Sequence, residues 1–152
     1  MTETSATEIS VRSAEPRDVS RLVELAGQLG YPVGAEDVAR RMSELARDPH
    51  DAAFVACDAS GRVRGWIHVQ RARALLFDPY AEIVALVVDS DARSRGIGAR
   101  LLASGETWAR AHGFGVVRLR SRTTRERAHA FYQRHGYAIT KTQAAFEKQL
   151  DS

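Results

Sequence analysis

From Ile83 to Val88 the chain reads IVALVV, an apolar run without a break. A strand with one face in water alternates apolar and polar residues, so an unbroken run of this kind reads as a central strand covered on both faces. The residues that follow narrow the choice. A helix is expected from Gly96 to about His112, with Leu101, Leu102, Trp108 and Ala109 on one face, and "VVRLRSR" then reads as a further strand. Strand, helix and strand in that order make a βαβ unit, whose crossover is right-handed and whose strands run parallel.

The rest of the chain supplies partners for that unit. "EISVRSA" alternates as a strand with Ile9 and Val11 inward, and Pro16 ends it. Val19, Leu22, Val23, Leu25, Ala26 and Leu29 repeat at helical spacing up to Gly30, and Val38, Met42 and Leu45 mark a second amphipathic helix that stops before Pro49. "AAFVACD" and "RVRGWIHVQRA" flank the turn "ASG" as an antiparallel hairpin. After the βαβ unit, "ERAHAFYQRHG" reads as a short helix and "AAFEKQL" as a closing strand. The order β-α-α-β-β-β-α-β-α-β predicts an α/β fold around a mixed central sheet.

A chain of 152 residues suits one core, so residues 9–152 are expected to form a single domain behind a flexible N-terminus, residues 1–8. No stretch reaches the roughly 18 uninterrupted apolar residues of a membrane helix, and "MTETSATEISVRSAE" has no apolar signal core, so the expected location is the cytoplasm. The single cysteine, Cys57, excludes an internal disulfide, and in "AAFVAC" it reads as a small apolar residue. Charge is uneven: residues 1–80 hold 10 arginines against 12 acids, whereas residues 81–152 hold 12 basic residues against 7 acids. A basic second half points to an anionic ligand, but a net charge of +3 is too small for a nucleic-acid surface.

"ARSRGIGARLL" places Gly96 and Gly98 at the mouth of the long helix, although each glycine within a helix costs roughly 1 kcal/mol relative to alanine. A helix N-terminus exposes unpaired amides at the positive end of the helix dipole, which is an arrangement that binds phosphate. Arg93, Arg95 and Arg100 add charge around it. Two phosphate motifs are excluded. The P-loop requires a lysine and a serine or threonine that do not follow here, and the dinucleotide fingerprint requires glycine or alanine where Leu101 stands.

"LVVDSDARSRGIGARLL" resembles motif A of the GCN5-related N-acetyltransferases, the GNAT family, whose loop R/Q-x-x-G-x-G/A falls on Arg93, Ser94, Arg95, Gly96, Ile97 and Gly98. A second family signature, A-x-x-F-Y-x-x-x-G-Y/F, is met by Ala128, Phe131, Tyr132, Gly136 and Tyr137. Ser90 replaces a proline common after the strand, and Arg125 replaces an asparagine common seven residues before the tyrosine. The resemblance covers about residues 9–150. It implies a sheet whose parallel strand pair splays apart, and acetyl-CoA as cosubstrate. Arg93, Ser94, Arg95, Gly96, Ile97, Gly98 and Ala99 would hold the diphosphate, Leu86, Val87 and Val88 would run along the pantetheine, and Arg125 and Tyr132 would meet the rest of the cofactor. It also implies pairing as a homodimer through "QAAFEKQL".

Acyl transfer to an amine requires that the amine lose a proton, that the carbonyl oxygen be stabilised, and that the leaving thiolate gain a proton. By resemblance Tyr132, a phenol of ordinary pKa about 10, donates the last of these. Val88 N–H serves the oxygen, and Glu82, fourteen residues before Gly96, matches the general base of the histone-acetylating branch. His68 in "WIHVQ" competes for the base role. His129 and His135 show no ligand spacing, and no metal is expected. Arg118, Arg120 and Arg122 alternate on one strand face, where they either receive an acidic substrate group or pair with acids such as Glu36, Asp37 and Glu44. The C-terminal stretch is similar to aminoalkylphosphonate and aminoglycoside acetyltransferases, and Gln28, Tyr31 and Glu36 lie where the family varies its acceptor pocket. The expected activity is an acetyl-CoA-dependent N-acetyltransferase acting on a primary amine of a small molecule through a ternary complex. The alternatives are a peptide acceptor and an acyl-CoA-binding module without turnover.

Overall fold

The computed structural model describes residues 8–93 and 95–151. They fall into two compact units, a larger one that runs to Leu119 and a smaller one from Arg120 onward.

In the larger unit, β1 (Ser10–Ser13) leads through a 3₁₀ turn at Pro16–Asp18 into α1 (Val19–Gln28) and α2 (Ala35–Leu45). Helix α1 buries Val19, Leu22, Leu25 and Ala26, the positions its apolar spacing marks. Strands β2 (Asp51–Cys57), β3 (Val63–Ala74) and β4 (Phe77–Val88) follow, then a 3₁₀ turn at Ser90–Ala92, α3 (Ile97–Ala111) and β5 (Val117–Leu119). The sheet order is β1-β2-β3-β4-β5. The first four strands are antiparallel, and β5 joins β4 in parallel across the α3 crossover. This is the mixed sheet that the sequence predicts.

Two helices from opposite sides close the sheet. Leu22 and Leu25 of α1 join Val55, Cys57, Val63 and Val87 in one buried cluster, with Trp66 and Met42 packed against it. On the other face α3 packs against β3, where a Cβ on Gly65 would stand 3.0 Å from both Ile97 and Leu101 of the helix and 2.8 Å from the carbonyl oxygen of Val87 on the neighbouring strand β4. Helix and strand backbone together leave room there for glycine.

The β3–β4 hairpin is longer than the sequence suggests. Strand β4 starts at Phe77, and Ala74 pairs with Phe77 near the tip, so Glu82 stands in mid-strand rather than at its start. Pro79 is accommodated because the register shifts between Ala72 and Ala74, where the ladder does not need its missing N–H. Further along, His68 opposes Ala85 while Val69 opposes Ile83, which leaves Val84 as the extra residue of a bulge, 49% exposed. Strand β5 pairs only with Ala81, Glu82 and Ile83. Past the bulge β4 continues without a β5 partner, and the parallel pair splays. The ladder ends at Leu119, so Arg118 alone of the three alternating arginines lies in the strand.

The smaller unit contains α4 (Glu126–Arg134) and an aromatic group in which Tyr132 meets Phe131 and Tyr137 at ring distances of 5.3 and 5.9 Å. The closing strand expected at "AAFEKQL" is absent, with Phe146 and Leu150 largely exposed. Alternation prepares two faces, but a strand forms only when a neighbour accepts its backbone hydrogen bonds. Among the described residues no helix is long and apolar enough to cross a membrane.

Candidate active site

The open end of β4 and the mouth of α3 are consecutive in the chain. Leu86 and Val88 are half-buried and Val87 is in the core, all three beyond the last β4–β5 pair. The chain then turns through Ser90–Ala92 to Arg93 and Arg95, both exposed, and enters α3 at Ile97. Gly96 caps the helix with φ +77°, a left-handed conformation that costs an L side chain roughly 1–2 kcal/mol, and it offers no side chain to the first-turn amides. A Cβ at Gly96 would meet nothing within 4 Å, so backbone conformation and not crowding explains this glycine. Ile97 is 1% exposed and anchors the turn from below, while Gly98 and Ala99 remain half-buried above it. Among the described residues Arg93, Arg95 and Arg100 have no carboxylate partner. Open amides, a helix dipole and three unpaired cations suit a diphosphate. Ser94 lies outside the described residues.

What holds this turn in place is a residue the sequence reading passed over. Asp89, 2% exposed, accepts hydrogen bonds from Arg21 of α1 (2.5 Å), Arg64 of β3 (3.0 Å), Gln28 of α1 (3.2 Å) and the Asp91 amide (3.1 Å). Burial pushes its carboxyl up, yet the Asp91 amide and the side chains of Arg64, Gln28 and Arg21 hold it down at about 2. Gln28 also accepts from the Ser90 amide (2.8 Å), so this side chain ties helix to turn.

Toward the β5 end of β4, Glu82 is half-buried and accepts from Gln70 at 3.2 Å, and it shares a register position with Arg118. The Arg118 guanidinium lies over the Tyr80 ring at 4.5 Å instead of pairing with Glu36, Asp37 or Glu44. His68 is bonded to Asp51, a partner no local pattern announces. Tyr31 and Glu36 are exposed. Cys57 is buried in the core. Among the described residues no group of three or more His, Cys, Asp or Glu side chains could hold a metal ion.

In the smaller unit Tyr132 sits within α4 and Arg125 at its N-cap. Burial raises the Tyr132 phenol above its ordinary value, with Arg125 opposing, so the group is protonated at neutral pH and able to donate. His129 Nε2 donates to the Arg122 carbonyl (2.9 Å) within the same unit.

Residues 19–137 match the model of the acetyltransferase (GNAT) family. No curated protein matches the chain. Among solved structures, the fold is similar to that of a transcriptional regulator from Bacillus halodurans (TM-score 0.82, 22% identity, 93% of this chain and 100% of that one). It is also similar to an aminoglycoside 6′-N-acetyltransferase from Acinetobacter baumannii (0.81, 17%, 95% and 100%) and a glucosamine-6-phosphate N-acetyltransferase from Arabidopsis thaliana (0.79, 21%, 93% and 99%).

Proposed function

The chain belongs to the GNAT family of acetyltransferases, and from that membership we propose that it transfers an acetyl group from acetyl-CoA to a primary amine of a small molecule, within a ternary complex. The observation that carries this reading is the mouth of α3, where the left-handed Gly96, the open first turn and three arginines without carboxylate partners among the described residues suit the CoA diphosphate. Arg93, Ser94, Arg95, Gly96, Ile97, Gly98 and Ala99 would bind that group, Leu86, Val87 and Val88 would border the pantetheine, and Arg125 would add a further contact. Bound there, acetyl-CoA supplies the activated thioester.

The residues of the chain supply the rest. Val88 N–H stabilises charge on the carbonyl oxygen, Tyr132 gives a proton to the departing sulfur, and Glu82 receives the ammonium of the acceptor. Residues 9–152 act as one catalytic domain in this reading, in the cytoplasm, with two copies pairing through "QAAFEKQL". A small acceptor is favoured because the second half of the chain is basic, which suits a cationic peptide poorly. Two similar folds also belong to proteins named for small amine acceptors.

Calorimetric titration with acetyl-CoA, repeated on Gly98→Glu, tests the cofactor site, with binding expected for the native chain and lost in the variant. CoA release is then followed with 2-aminoethylphosphonate, kanamycin and a lysine peptide. Tyr132→Phe should lower kcat by about 100-fold without changing acetyl-CoA affinity. Failure of the native chain to bind ends the reading; binding without CoA release identifies a non-catalytic module, and release with the peptide alone moves the acceptor class.

A further inference from the structure

Along β3, Trp66, His68 and Gln70 alternate onto one face of the sheet. Their neighbours on β2 are Val55, Ala53 and Asp51, and on β4 they are Val87, Ala85 and Glu82. Nearest the core this face is apolar, through Trp66. Farther along it becomes polar, with Gln70 donating to Glu82 (3.2 Å) and His68 Nε2 standing 3.0 Å from Asp51 Oδ1. The side chains of His68 and Asp51 are 17% and 12% exposed, so the pair is sheltered without being sealed.

The pair has a defined polarity. A carboxylate offers no hydrogen, so Nε2 of a neutral His68 carries the proton and donates it to Asp51. The lone pair is therefore on Nδ1, which no hydrogen bond from a described residue reaches. The residues that oppose His68 on both neighbouring strands are alanines, Ala53 and Ala85, which leave space beside the ring. Two buried polar atoms close to the pair in sequence also lack partners among the described residues: Nε1 of Trp66, two residues before His68, and Nδ1 of His50, next to Asp51.

We propose that His68, oriented by Asp51, takes the proton that the acceptor ammonium must lose before it attacks, with Nδ1 as the accepting atom. The assignment rests on the acetyl-transfer reading and gives that site its base. R–NH₃⁺ gives one proton to Nδ1 and becomes R–NH₂. Its nitrogen then forms the C–N bond as the C–S bond breaks, and the departing sulfur gains a proton as the amide nitrogen loses its second one. The imidazolium returns its proton to water, and the products are the amide and the CoA thiol.

Magnitudes favour this division of labour. An alkylammonium has an ordinary pKa of about 10.4, and an imidazole at about 6.5 is closer to it than a carboxylate at about 4.3. The carboxylate of Glu82 holds the ammonium, while the anion of Asp51 stabilises the imidazolium as it forms. The charged groups that the strands bring to this face are Arg12 from β1 (bonded to Asp18), Asp51 from β2, Glu82 from β4 and Arg118 from β5, the last drawn over Tyr80. From the helices, α1 turns Leu22 and Leu25 inward together with Arg21, which is bonded to the Val63 carbonyl and Asp89, and α2 contributes Met42.

The experiment measures kcat/KM against pH for the native chain, His68→Gln and Asp51→Asn, with whichever of ethanolamine, 2-aminoethylphosphonate or kanamycin turns over. Acetyl-CoA affinity serves as the folding control. The native rate should fall on the acid side, as general-base catalysis requires. His68→Gln should lose that limb and about 100-fold in kcat, and Asp51→Asn should move the limb to lower pH with a fall of about tenfold. Long-range ¹H–¹⁵N spectra of the native chain should show the Nε2-protonated tautomer, independent of turnover. An unchanged acid limb in His68→Gln overturns the assignment while leaving acetyl transfer standing. A limb that Asp51→Asn does not move removes Asp51 from the mechanism, and failure of every amine with the native chain overturns the transfer reading itself.

Discussion

The two ends of β4 carry opposite kinds of polar chemistry. At the glycine-loop end, Asp89 is almost wholly buried and both of its oxygens are matched by donors from α1, β3 and the following turn. At the β5 end, Gln70 is bonded to Glu82 and His68 to Asp51, and all four keep part of their surface open. A buried charge satisfied from several elements is costly to disturb and fixes the backbone around it. Half-open pairs retain lone pairs and hydrogens for a ligand. The contrast separates a frame that presents the glycine loop from a half-open polar face, where the proposed acceptor would bind.

The contrast can be broken most severely at Asp89. Asp89→Ala strands Arg21 and Arg64 without their shared carboxylate and should cost about 3 kcal/mol, the lower end for a broken buried pair because both arginines keep some water contact. Urea unfolding measures it, and a loss below about 1 kcal/mol would show that Asp89 is no frame. Acid sharpens the same point. Because the folded Asp89 carboxyl is held at about 2, below its ordinary value, its contribution is complete above about pH 4 and is lost as pH falls toward 2. It amounts to about 2 kcal/mol. Asp18, held low by Arg12, and Asp58, held low by Ser60 and Arg64, fade in the same direction, so the difference between native chain and Asp89→Asn isolates the term.

The other end of the strand should respond in function and hardly in stability. Glu82→Gln is expected to raise the acceptor KM about tenfold, or about 1.4 kcal/mol, with acetyl-CoA affinity unchanged by calorimetry. A matching loss of acetyl-CoA affinity would merge the two ends. The smallest effect is expected at Arg118→Ala, which removes an exposed cation from the Tyr80 face and should cost about 0.5–1 kcal/mol in thermal unfolding.

Much of the architecture was legible because it is encoded between near neighbours. The apolar run Ile83–Val88 announced a central strand, the spacing of Val19, Leu22, Leu25 and Ala26 a helix, and the glycines at 96 and 98 a turn into a helix that exposes amides. Each is a backbone preference or a periodicity that a few consecutive residues express. The closing strand was overcalled for the complementary reason: "AAFEKQL" has the alternation, but alternation supplies no partner. The extent of β4 before Glu82 has no local marker either, because only the shifted register of the β3–β4 hairpin shows how Pro79 fits inside the strand.

By itself, then, the sequence determined the order of elements up to α4, the family and the glycine turn into α3, since these depend on local backbone geometry and short motifs. The tertiary structure alone decided which polar groups meet. Asp89 finds Arg21 and Gln28 more than 60 residues away, and His68 finds Asp51 across two strands 17 residues apart in the chain. No periodicity encodes such pairs, because they exist only after register, bulge and helix packing have brought distant segments onto one face of the sheet.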